Sequence, residues 1–326
     1  MNFEPVGSGN AVEGYCIIKN LEKRTTAKGS DYLDMIIADN DGEINAKLWD
    51  YKETDENKFQ KRDFVKVRGS IVTFNEIKQL RVDRIRLVTP LDGVDLSQYI
   101  PSAVLEGDVM LKEIEKVVCE FEDDELKALV TSLLKKYEDK LLYWPAAKSL
   151  HHAIRGGLLM HTLSLLRLCQ GAVKIYPFVN ADLLYTGAIL HDISKVNEID
   201  STQHGMVGDY TVKGNLLGHL VMGCMEVEET GKKEGISDET LMLVEHMLIS
   251  HHGKPEFGAA KLPLTLEAEI LSEIDNFDAK IYEIHSALES VKPGEYTQKL
   301  WALDNRAFYN HGRGKEGECN LCETTK

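Results

Sequence analysis

The chain carries the segment Tyr185-Thr-Gly-Ala-Ile-Leu-His-Asp-Ile-Ser-Lys195, which constrains its architecture more than any other. The apolar residues at its start predict a helix that runs through the His191-Asp192 pair. A His followed directly by an Asp offers one nitrogen and one carboxylate oxygen to a divalent metal ion. A carboxylate can also bridge two ions, which a His cannot do. The pair therefore predicts a metal site on a helical scaffold.

Lys195 lies four residues after His191 and three after Asp192, so on a helix it shares their face. Its cation could offset negative charge on a phosphate in the transition state. The alternative is an ordinary lysine in the last helical turn, where the helix dipole favours positive charge. We predict catalytic roles for Asp192 and Lys195.

Further His and Asp residues lie within or at the end of other apolar segments, where a polar group without a partner would cost free energy. Convergence on metal would satisfy all of them together. The predicted metal ligands are His161, His191, Asp192, His219, His251, His252 and Asp275. Taken singly, each histidine is more typical of a hydrogen-bonded core or surface residue. Together they favour a mixed nitrogen and oxygen site, and a pair of ions that share Asp192 could activate water at a phosphoryl centre.

The first quarter of the chain is predicted to form strands, because β-branched and aromatic residues alternate there with polar ones. The predicted strands cover residues 14–21, 32–38, 44–49, 64–74 and 79–87. Asp41-Gly42 between two of them is a hairpin signal. Five short strands favour a small closed barrel, and the OB fold is the commonest such barrel that binds oligonucleotides.

After a proline-containing linker the periodicity becomes helical. The predicted helices cover residues 105–121, 124–137, 157–175, 180–194, 214–231, 237–250, 265–289 and 295–309. The chain is therefore predicted to be a multidomain protein in which a small all-β barrel precedes an all-α domain. The predicted parts are an OB-fold barrel suited to nucleic-acid binding at 1–90, a linker at 91–104, a helical domain that contains the predicted metal ligands at 105–310 and a polar tail at 311–326.

The composition is typical of a globular protein, with 43% hydrophobic and 28% charged residues. The six cysteines, which are scattered apart from the last two in a chain without a predicted secretion signal, indicate reduced thiols in the cytoplasm. Neither a secretion signal nor a membrane span is predicted. The net charge of −15 argues against broad attraction to nucleic acid. The charge is uneven, since residues 1–95 carry 15 Lys and Arg against 17 Asp and Glu, and the remainder carries 23 against 36. Cys319 and Cys322 could hold zinc together with His311, but a frayed tail is the more typical interpretation.

Two sets of residues resemble known families. Asp39-x-x-Gly-Glu-Ile-x-Ala-Lys-Leu-Trp49, with Val65-x-Val-x-Gly69, resembles OB domains of the anticodon-binding type. His161…His191-Asp192-x-x-Lys195…Asp275 resembles the HD superfamily of metal-dependent phosphohydrolases, and His151-His-Ala-x-x-Gly-Gly-Leu-Leu-x-His-Thr162 strengthens that match. The order of OB and then HD resembles the YhaM-type 3′→5′ exoribonucleases of Gram-positive bacteria, over about residues 10–310.

The resemblance implies hydrolysis of single-stranded RNA, and of single-stranded DNA as a further substrate, from the 3′ end to nucleoside monophosphates. It also implies two divalent ions, with Mn²⁺ favoured over Mg²⁺, Fe²⁺ and Co²⁺, and a homo-oligomer. Under this hypothesis His161, His191, Asp192 and Asp275 hold one ion. Asp192, His219 and His251 hold the other, with His252 as the alternate ligand. The resemblance further implies that His151, His152 and Arg155 contact substrate phosphate.

The barrel would guide a single strand by stacking and by contacts to its backbone. The candidate residues are Trp49, Phe74, Lys66, Arg68 and Arg81. For Trp49 and Phe74 a position in the core is an equal alternative. Arg81, Arg84 and Arg86 could line one face of a strand, and a solvated edge strand is the alternative.

Two other functions fit parts of this pattern. One is an HD phosphohydrolase of nucleotides or cyclic dinucleotides, with the OB domain as a regulatory module. The other is a nucleic-acid-binding protein without activity, but that would require an incomplete ligand set. Every expected ligand position is filled here, so the enzyme is the favoured hypothesis.

Overall fold

The structure is a computed structural model that describes residues 3–6, 10–39, 41–52, 54, 58–148, 153–314 and 321. It divides into two units, Met1–Ser102 and Ala103–Lys326. The first unit contains the strands β1 (Glu4–Pro5), β2 (Ala11–Thr25), β3 (Asp31–Asp39), β4 (Gly42–Leu48), β5 (Phe64–Phe74) and β6 (Ile77–Leu87).

Five of these strands close into a barrel. Strand β2 pairs antiparallel with both β3 and β5, β3 pairs with β4, and β5 pairs with β6. The parallel pairing of β4 with β6 completes the ring. Alternate side chains point inward and form a core that includes Cys16, Ile18, Met35, Ile37, Val65, Val67 and Leu80. This topology is that of an OB fold, so the prediction of an OB barrel is confirmed.

The second unit is mainly helical. Its helices are α1 (Gly107–Cys119), α2 (Asp124–Leu141), α3 (Gly157–Ile175), α4 (Ala181–Leu190), α5 (Lys195–Glu198), α6 (Val212–Glu234), α7 (Asp238–Ser250) and α8 (Leu266–Glu289). A short hairpin, β7 (Ile199–Ser201) and β8 (Val207–Tyr210), separates α5 from α6. Among the described residues, no helix is long and apolar enough to cross a membrane.

Close packing of α4 against α7 and α8 brings the ends of these helices together. A Cβ atom on Gly187 of α4 would lie 2.2 Å from Cε of Met247 and 3.0 Å from Cδ2 of Leu271. Both of these contact residues are fully buried. A larger residue at this position would require the buried side chains of Met247 and Leu271 to shift, so Gly187 permits the close packing of α4 on α7 and α8.

Two helix predictions need correction. Helix α4 ends at Leu190, so His191 and Asp192 lie in the turn that follows it rather than within a helix reaching residue 194. The helix predicted at 295–309 is wrong. Isolated bridges join Tyr296 to Tyr309 and Leu300 to Arg306, which makes this segment an irregular hairpin. Its turn contains two consecutive residues, Asp304 and Asn305, with positive φ values of 56° and 55°, a conformation that interrupts a helix.

Candidate active site

Two acidic residues on α8 surround His161, which lies in the second turn of α3 and is 1% exposed. Its Nδ1 donates a hydrogen bond to Oδ2 of Asp278 at 2.9 Å. Its Nε2 lies 3.2 Å from Oδ1 of Asp275 and 3.2 Å from Nε2 of His191. Asp275 and Asp278 are three residues apart on one helix, so both carboxylates face the same imidazole.

The turn after α4 contains His191 and Asp192, and both side chains lie close to His161. Nδ1 of His191 donates to the carbonyl oxygen of Ala188 at 3.0 Å. This bond fixes the tautomer and leaves the lone pair of Nε2 free to bind a metal ion. Asp192 is 2% exposed, and its Oδ2 lies 3.3 Å from Nε2 of His191.

The two oxygens of Asp192 face different histidines. Oδ2 lies on the side of His191 and is 3.8 Å from Nε2 of His161. Oδ1 lies 3.3 Å from Nε2 of His219 and 3.9 Å from Nε2 of His251. A carboxylate placed in this way has the geometry to share two ions between two sets of nitrogen ligands.

The residues on α6 and after α7 form the second set. His251 is the C-cap of α7, and its Nδ1 donates to the carbonyl oxygen of Leu248 at 2.8 Å. The ring of His252 lies 4.3 Å from that of His251 and 5.2 Å from that of His219, between centroids. All three imidazoles therefore converge.

Several buried polar atoms of this cluster lack a hydrogen-bond partner among the described residues. They are Oδ1 of Asp192, Nε2 of His219 and Nδ1 of His252. The first two lie 3.3 Å apart without a hydrogen bond between them. A buried polar atom left in this state is costly unless an ion or a water molecule occupies the space. The donor set therefore fits divalent metal.

Three groups have ligand atoms that all lie within 4.8 Å of one another. They are His161 with His191 and Asp192; His219 with His251 and His252; and His191 with His251 and Asp275. Ligand atoms about 2.1 Å from one ion must lie within roughly 4.2 Å of each other, so these spacings suit metal after small side-chain adjustments. The third group shows that the two sets meet at His251.

The protonation states of this cluster follow from burial and neighbouring charges. Burial alone would raise the pKa of the Asp192 carboxyl, but Lys195 and His191 hold it well below its usual range. Burial lowers the pKa of His251 well below 6.5, and the neighbouring imidazoles lower it further. Burial likewise lowers the pKa of His252. An anionic carboxylate beside neutral imidazoles is the state that binds metal ions.

His161 differs from these histidines in the metal-free protein. Burial alone would lower the pKa of His161, but hydrogen bonds to Asp275 and Asp278 raise it to about 10. The imidazole is therefore protonated at neutral pH, so the metal-free cluster carries a positive charge on His161. A metal ion would displace the proton on Nε2.

Lys195 begins α5 and reaches back to the cluster. Its Nζ lies 2.6 Å from Oδ2 of Asp192. Burial alone would lower the pKa of Lys195, but the charge of Asp192 raises it, so the side chain is protonated. Its side chain is 12% exposed. The structure thus places a cation directly beside the carboxylate that joins the two sets of histidines.

Two acidic residues that contact the predicted histidine ligands, Asp278 and Glu198, were not predicted from the sequence. Asp278 could have been found, because it lies three residues after Asp275 on a clear helix. Glu198 lies 3.0 Å from Nδ1 of His219. Burial alone would raise the pKa of Glu198, but the hydrogen bond from His219 lowers it.

The residues predicted to contact phosphate near the cluster are only partly described. His151 and His152 lie outside the described residues. Arg155 is half-buried, and its Nη1 lies 3.8 Å from Oε2 of Glu106. A Cβ atom on Gly205 would lie 2.6 Å from Cγ of Arg155, so the turn between β7 and β8 packs on the stem of this side chain. Cys319 and Cys322 also lie outside the described residues.

Three of the barrel candidates lie together. A groove of about 210 Å³ is lined by Lys47, Trp49, Val72, Phe74, Gln79, Leu80 and Arg81. Trp49 is 44% exposed and Phe74 is 61% exposed. The Trp49 ring stacks on Tyr32 at 4.6 Å, and Nζ of Lys47 lies 5.8 Å from each of these two rings. Tyr32 and Lys47 were not predicted from the sequence, although Lys47 lies two residues before Trp49.

The other two barrel candidates lie on β5. Nζ of Lys66 lies 2.7 Å from Oε1 of Glu13 and 5.3 Å from the ring centroid of Tyr15. Arg68 is opposite Glu13 on one side and opposite Arg84 on the other. Lys66 is therefore paired with Glu13 within the barrel.

Arg81, Arg84 and Arg86 do not share one environment. Arg81 lines the groove, whereas Arg86 donates two hydrogen bonds to Asp92 at 2.9 and 2.5 Å. The register of β5 and β6 shifts between Arg68 and Gly69, next to Arg84. That irregularity interrupts the alternation on which a common face depends.

The comparisons with known proteins give a family model for the helical unit and relatives that cover most of the chain. The model of the HD domain family matches residues 158–280. The 3′-5′ exoribonuclease YhaM of Listeria welshimeri serovar 6b is 40% identical over 302 residues, which cover 93% of this chain and 96% of that protein. The 3′-5′ exoribonuclease YhaM of Geobacillus sp. (strain WCH70) is 40% identical over 301 residues, which cover 92% of each chain.

Among solved structures, the second OB-fold domain of replication protein A from Methanococcus maripaludis is 17% identical. The match covers 24% of this chain and 86% of that one, with a TM-score of 0.20. At that score the likeness adds no support, and the assignment of the barrel rests on its strand pairing.

Proposed function

The chain belongs to the family of YhaM 3′-5′ exoribonucleases, and on that premise we propose that it is a metal-dependent exoribonuclease. Its substrate would be single-stranded RNA, with single-stranded DNA as a further substrate, shortened from the 3′ end to nucleoside monophosphates. The observation that carries this proposal is the position of Asp192, whose two oxygens face separate sets of histidines.

Two divalent ions fit the donor set. His161, His191, Asp192 and Asp275 would hold one ion, and Asp192, His219, His251 and His252 would hold the other. Bound there, the ions would supply a metal-activated hydroxide and hold the phosphoryl oxygens of the terminal phosphodiester. Mn²⁺ is the favoured ion, because mixed imidazole and carboxylate ligands suit it, and Mg²⁺, Fe²⁺ and Co²⁺ are the alternatives.

Lys195 would act on the charge of the substrate. It is protonated and lies 2.6 Å from Asp192, so a phosphate held at the cluster would lie close to its ammonium group. A fixed cation in a water-poor site stabilises the negative charge that develops on phosphoryl oxygens. Arg155, His151 and His152 are proposed as further phosphate contacts on the basis of the family resemblance.

The barrel groove would guide the single strand. Trp49 and Phe74 are exposed enough to stack on bases, and Lys47 and Arg81 line the same groove as cations for the backbone. Stacking of this kind tolerates any sequence. Lys66 and Arg68 remain proposed contacts of lower importance, because Lys66 is already paired with Glu13.

Two further parts of the proposal rest on separate grounds: a homo-oligomeric assembly on the family resemblance, and a cytoplasmic location on the scattered cysteines. The domain assignment is likewise proposed as predicted, with nucleic-acid binding in 1–90 and hydrolysis in 105–310.

The test uses 5′-labelled single-stranded RNA and DNA, a panel of mononucleotides and cyclic dinucleotides, and added Mn²⁺, with Mg²⁺, Fe²⁺ and Co²⁺ tried in turn. We expect a ladder of RNA products shortened from the 3′ end, and release of nucleoside monophosphates. An Asp192→Asn variant is the matched control, and it should leave the RNA intact.

The result that would overturn the proposal is turnover of nucleotides or cyclic dinucleotides with no shortening of RNA. That outcome would favour the alternative HD phosphohydrolase with a regulatory barrel. RNA binding without hydrolysis in any of the four metals would favour a binding protein instead.

A further inference from the structure

One buried carboxylate outside the ligand set makes two bonds to the same histidine. Oε1 of Glu198 accepts from Nδ1 of His219 at 3.0 Å and from the backbone N–H of His219 at 3.0 Å. Glu198 is 8% exposed. Since Nδ1 donates its proton to Glu198, the lone pair of Nε2 is directed to Oδ1 of Asp192, 3.3 Å away. Glu198 thus fixes both the tautomer and the orientation of this ring.

The backbone of α6 is interrupted where Glu198 meets it. Gly218 has φ 73° and ψ 162° inside this helix, a conformation that is essentially restricted to glycine. The interruption turns the N–H of His219 toward Glu198. The carboxylate therefore caps the second half of α6 with a negative charge, which the positive end of a helix favours.

A second glycine allows the same approach. A Cβ atom on Gly214 would lie 2.3 Å from the carbonyl oxygen of Glu198, so only glycine lets α6 pack directly on this residue. The backbone N–H of Thr211 donates to that same carbonyl oxygen at 2.8 Å. Glu198 therefore meets the first part of α6 at three residues. Its carbonyl oxygen lies against Thr211 and Gly214, and its side chain binds His219.

The other histidines of the cluster have different supports. Nδ1 of His161 donates to Asp278, whereas His191 and His251 donate to backbone carbonyl oxygens. A carboxylate behind an imidazole makes the opposite nitrogen a stronger metal ligand than a carbonyl does. Each proposed metal position therefore contains one imidazole with carboxylate support: His161 in the first and His219 in the second.

We propose that Glu198 is a positioning residue that sets the affinity of the metal position containing His219, and that it acts through His219 alone. Asp278 is its counterpart for the position containing His161. This inference rests on the proposed pair of metal sites, but not on the identity of the substrate. The segment from His191 to Glu198 would then supply His191 and Asp192 to the first position, and Asp192 and the outer carboxylate to the second.

The test is a titration of metal-free protein with Mn²⁺ in the absence of RNA, with free Mn²⁺ followed by its electron paramagnetic resonance signal. We expect two binding steps in the unaltered chain. Glu198→Ala should weaken one step by about 10–100-fold, the usual effect of removing an outer carboxylate. Glu198→Gln should weaken it less, because the amide oxygen can still accept the bond from Nδ1.

A double-mutant cycle separates this role from a general effect on the fold. In a His219→Ala background, Glu198→Ala should have no further effect on the remaining step. Asp278→Asn is the matched control, and its effect should persist in the His219→Ala background and vanish in a His161→Ala background. If Glu198→Ala does not fold, Glu198→Gln takes its place in the cycle.

Equal weakening of both steps by Glu198→Ala would overturn the inference, and so would an undiminished effect in the His219→Ala background. A single step in the unaltered chain would overturn the pair of sites as well. Two steps that respond as expected in a protein that leaves RNA intact would instead refute only the exoribonuclease.

Discussion

Asp192 is the residue on which both metal positions depend, because its two oxygens face the two sets of histidines. Asp192→Asn should weaken Mn²⁺ binding by more than about 100-fold, which exceeds the loss for an outer-shell group. Hydrolysis of RNA should fall to that of a chelator-treated control, whereas RNA affinity in an anisotropy assay should be largely retained, because the barrel groove is unaltered. Retained hydrolysis would refute the metal mechanism.

Replacement of Lys195 should slow catalysis without weakening metal binding. Lys195→Gln removes the cation beside Asp192 and should lower kcat by about 10²–10³, as expected for a group that stabilises transition-state charge. Mn²⁺ affinity should be retained or increase, because the metal no longer competes with an ammonium group. Lys174→Gln, on the exposed last turn of α3, is the control. A parallel loss of Mn²⁺ affinity would show that Lys195 supports the site instead.

His161 gives the metal-free protein a characteristic pH dependence. Its folded pKa of about 10 lies above the ordinary value of 6.5, so its protonation contributes stability that is complete below pH 6.5 and is lost as pH rises toward 10. Urea unfolding of chelator-treated protein should show decreasing stability across that range. His161→Gln should remove this part of the dependence. Stability that increases from pH 6.5 to 10 would contradict the pairing with Asp275 and Asp278.

At the scale of secondary structure, the interruption of α6 decides where His219 points. Gly218→Ala forces a side chain into φ 73° and should lower the free energy of unfolding by about 1–3 kcal/mol. Gly171→Ala in α3 is the matched control, because its Cβ atom would meet nothing within 4 Å. That change should stabilise by about 0.4–1 kcal/mol. Equal effects of the two changes would show that the conformation at Gly218 carries no strain.

The elements of the barrel could be predicted because alternation in sequence maps directly onto the two faces of a strand. The segment at 295–309 could not, because its apolar spacing resembles that of a helix, whereas positive φ values at Asp304 and Asn305 turn the chain back into a hairpin. His191 and Asp192 are adjacent, so their proximity was certain. The bond from His219 to Glu198 crosses a hairpin and an interrupted helix, and no periodicity encodes it.

The groove of the barrel should contribute to the affinity for single-stranded RNA and not to the rate of hydrolysis. Trp49→Ala and Phe74→Ala should each weaken binding of single-stranded RNA by about 1–3 kcal/mol, measured by anisotropy with the Asp192→Asn protein so that the strand stays intact. Leu91→Ala, at a residue 98% exposed and outside the groove, is the control. Unchanged affinity in both groove variants would place Trp49 and Phe74 outside the path of the strand.

For the whole molecule, the net charge of −15 opposes binding of RNA at long range. The acidic residues are concentrated after residue 95, whereas residues 1–95 are nearly neutral. Affinity must therefore come from local cations and stacking, and not from a general field. Lys47 and Arg81 supply such cations in the barrel groove, and bound metal ions would supply the largest positive charges near the cluster.

This distribution predicts a shallow but measurable dependence of RNA affinity on salt. For a single strand, the slope of log K against log salt is about −0.7 for each phosphate neutralised, so contacts to Lys47, Arg81 and Arg68 together give a slope of about −2. Between 50 and 200 mM salt the affinity should fall by about 16-fold. Lys47→Gln and Arg81→Gln should each reduce the slope by about 0.7, because each removes one contact in the groove. A flat dependence in the unaltered chain would mean that the barrel does not track the phosphate backbone, and would leave stacking on Trp49 and Phe74 as its sole contribution.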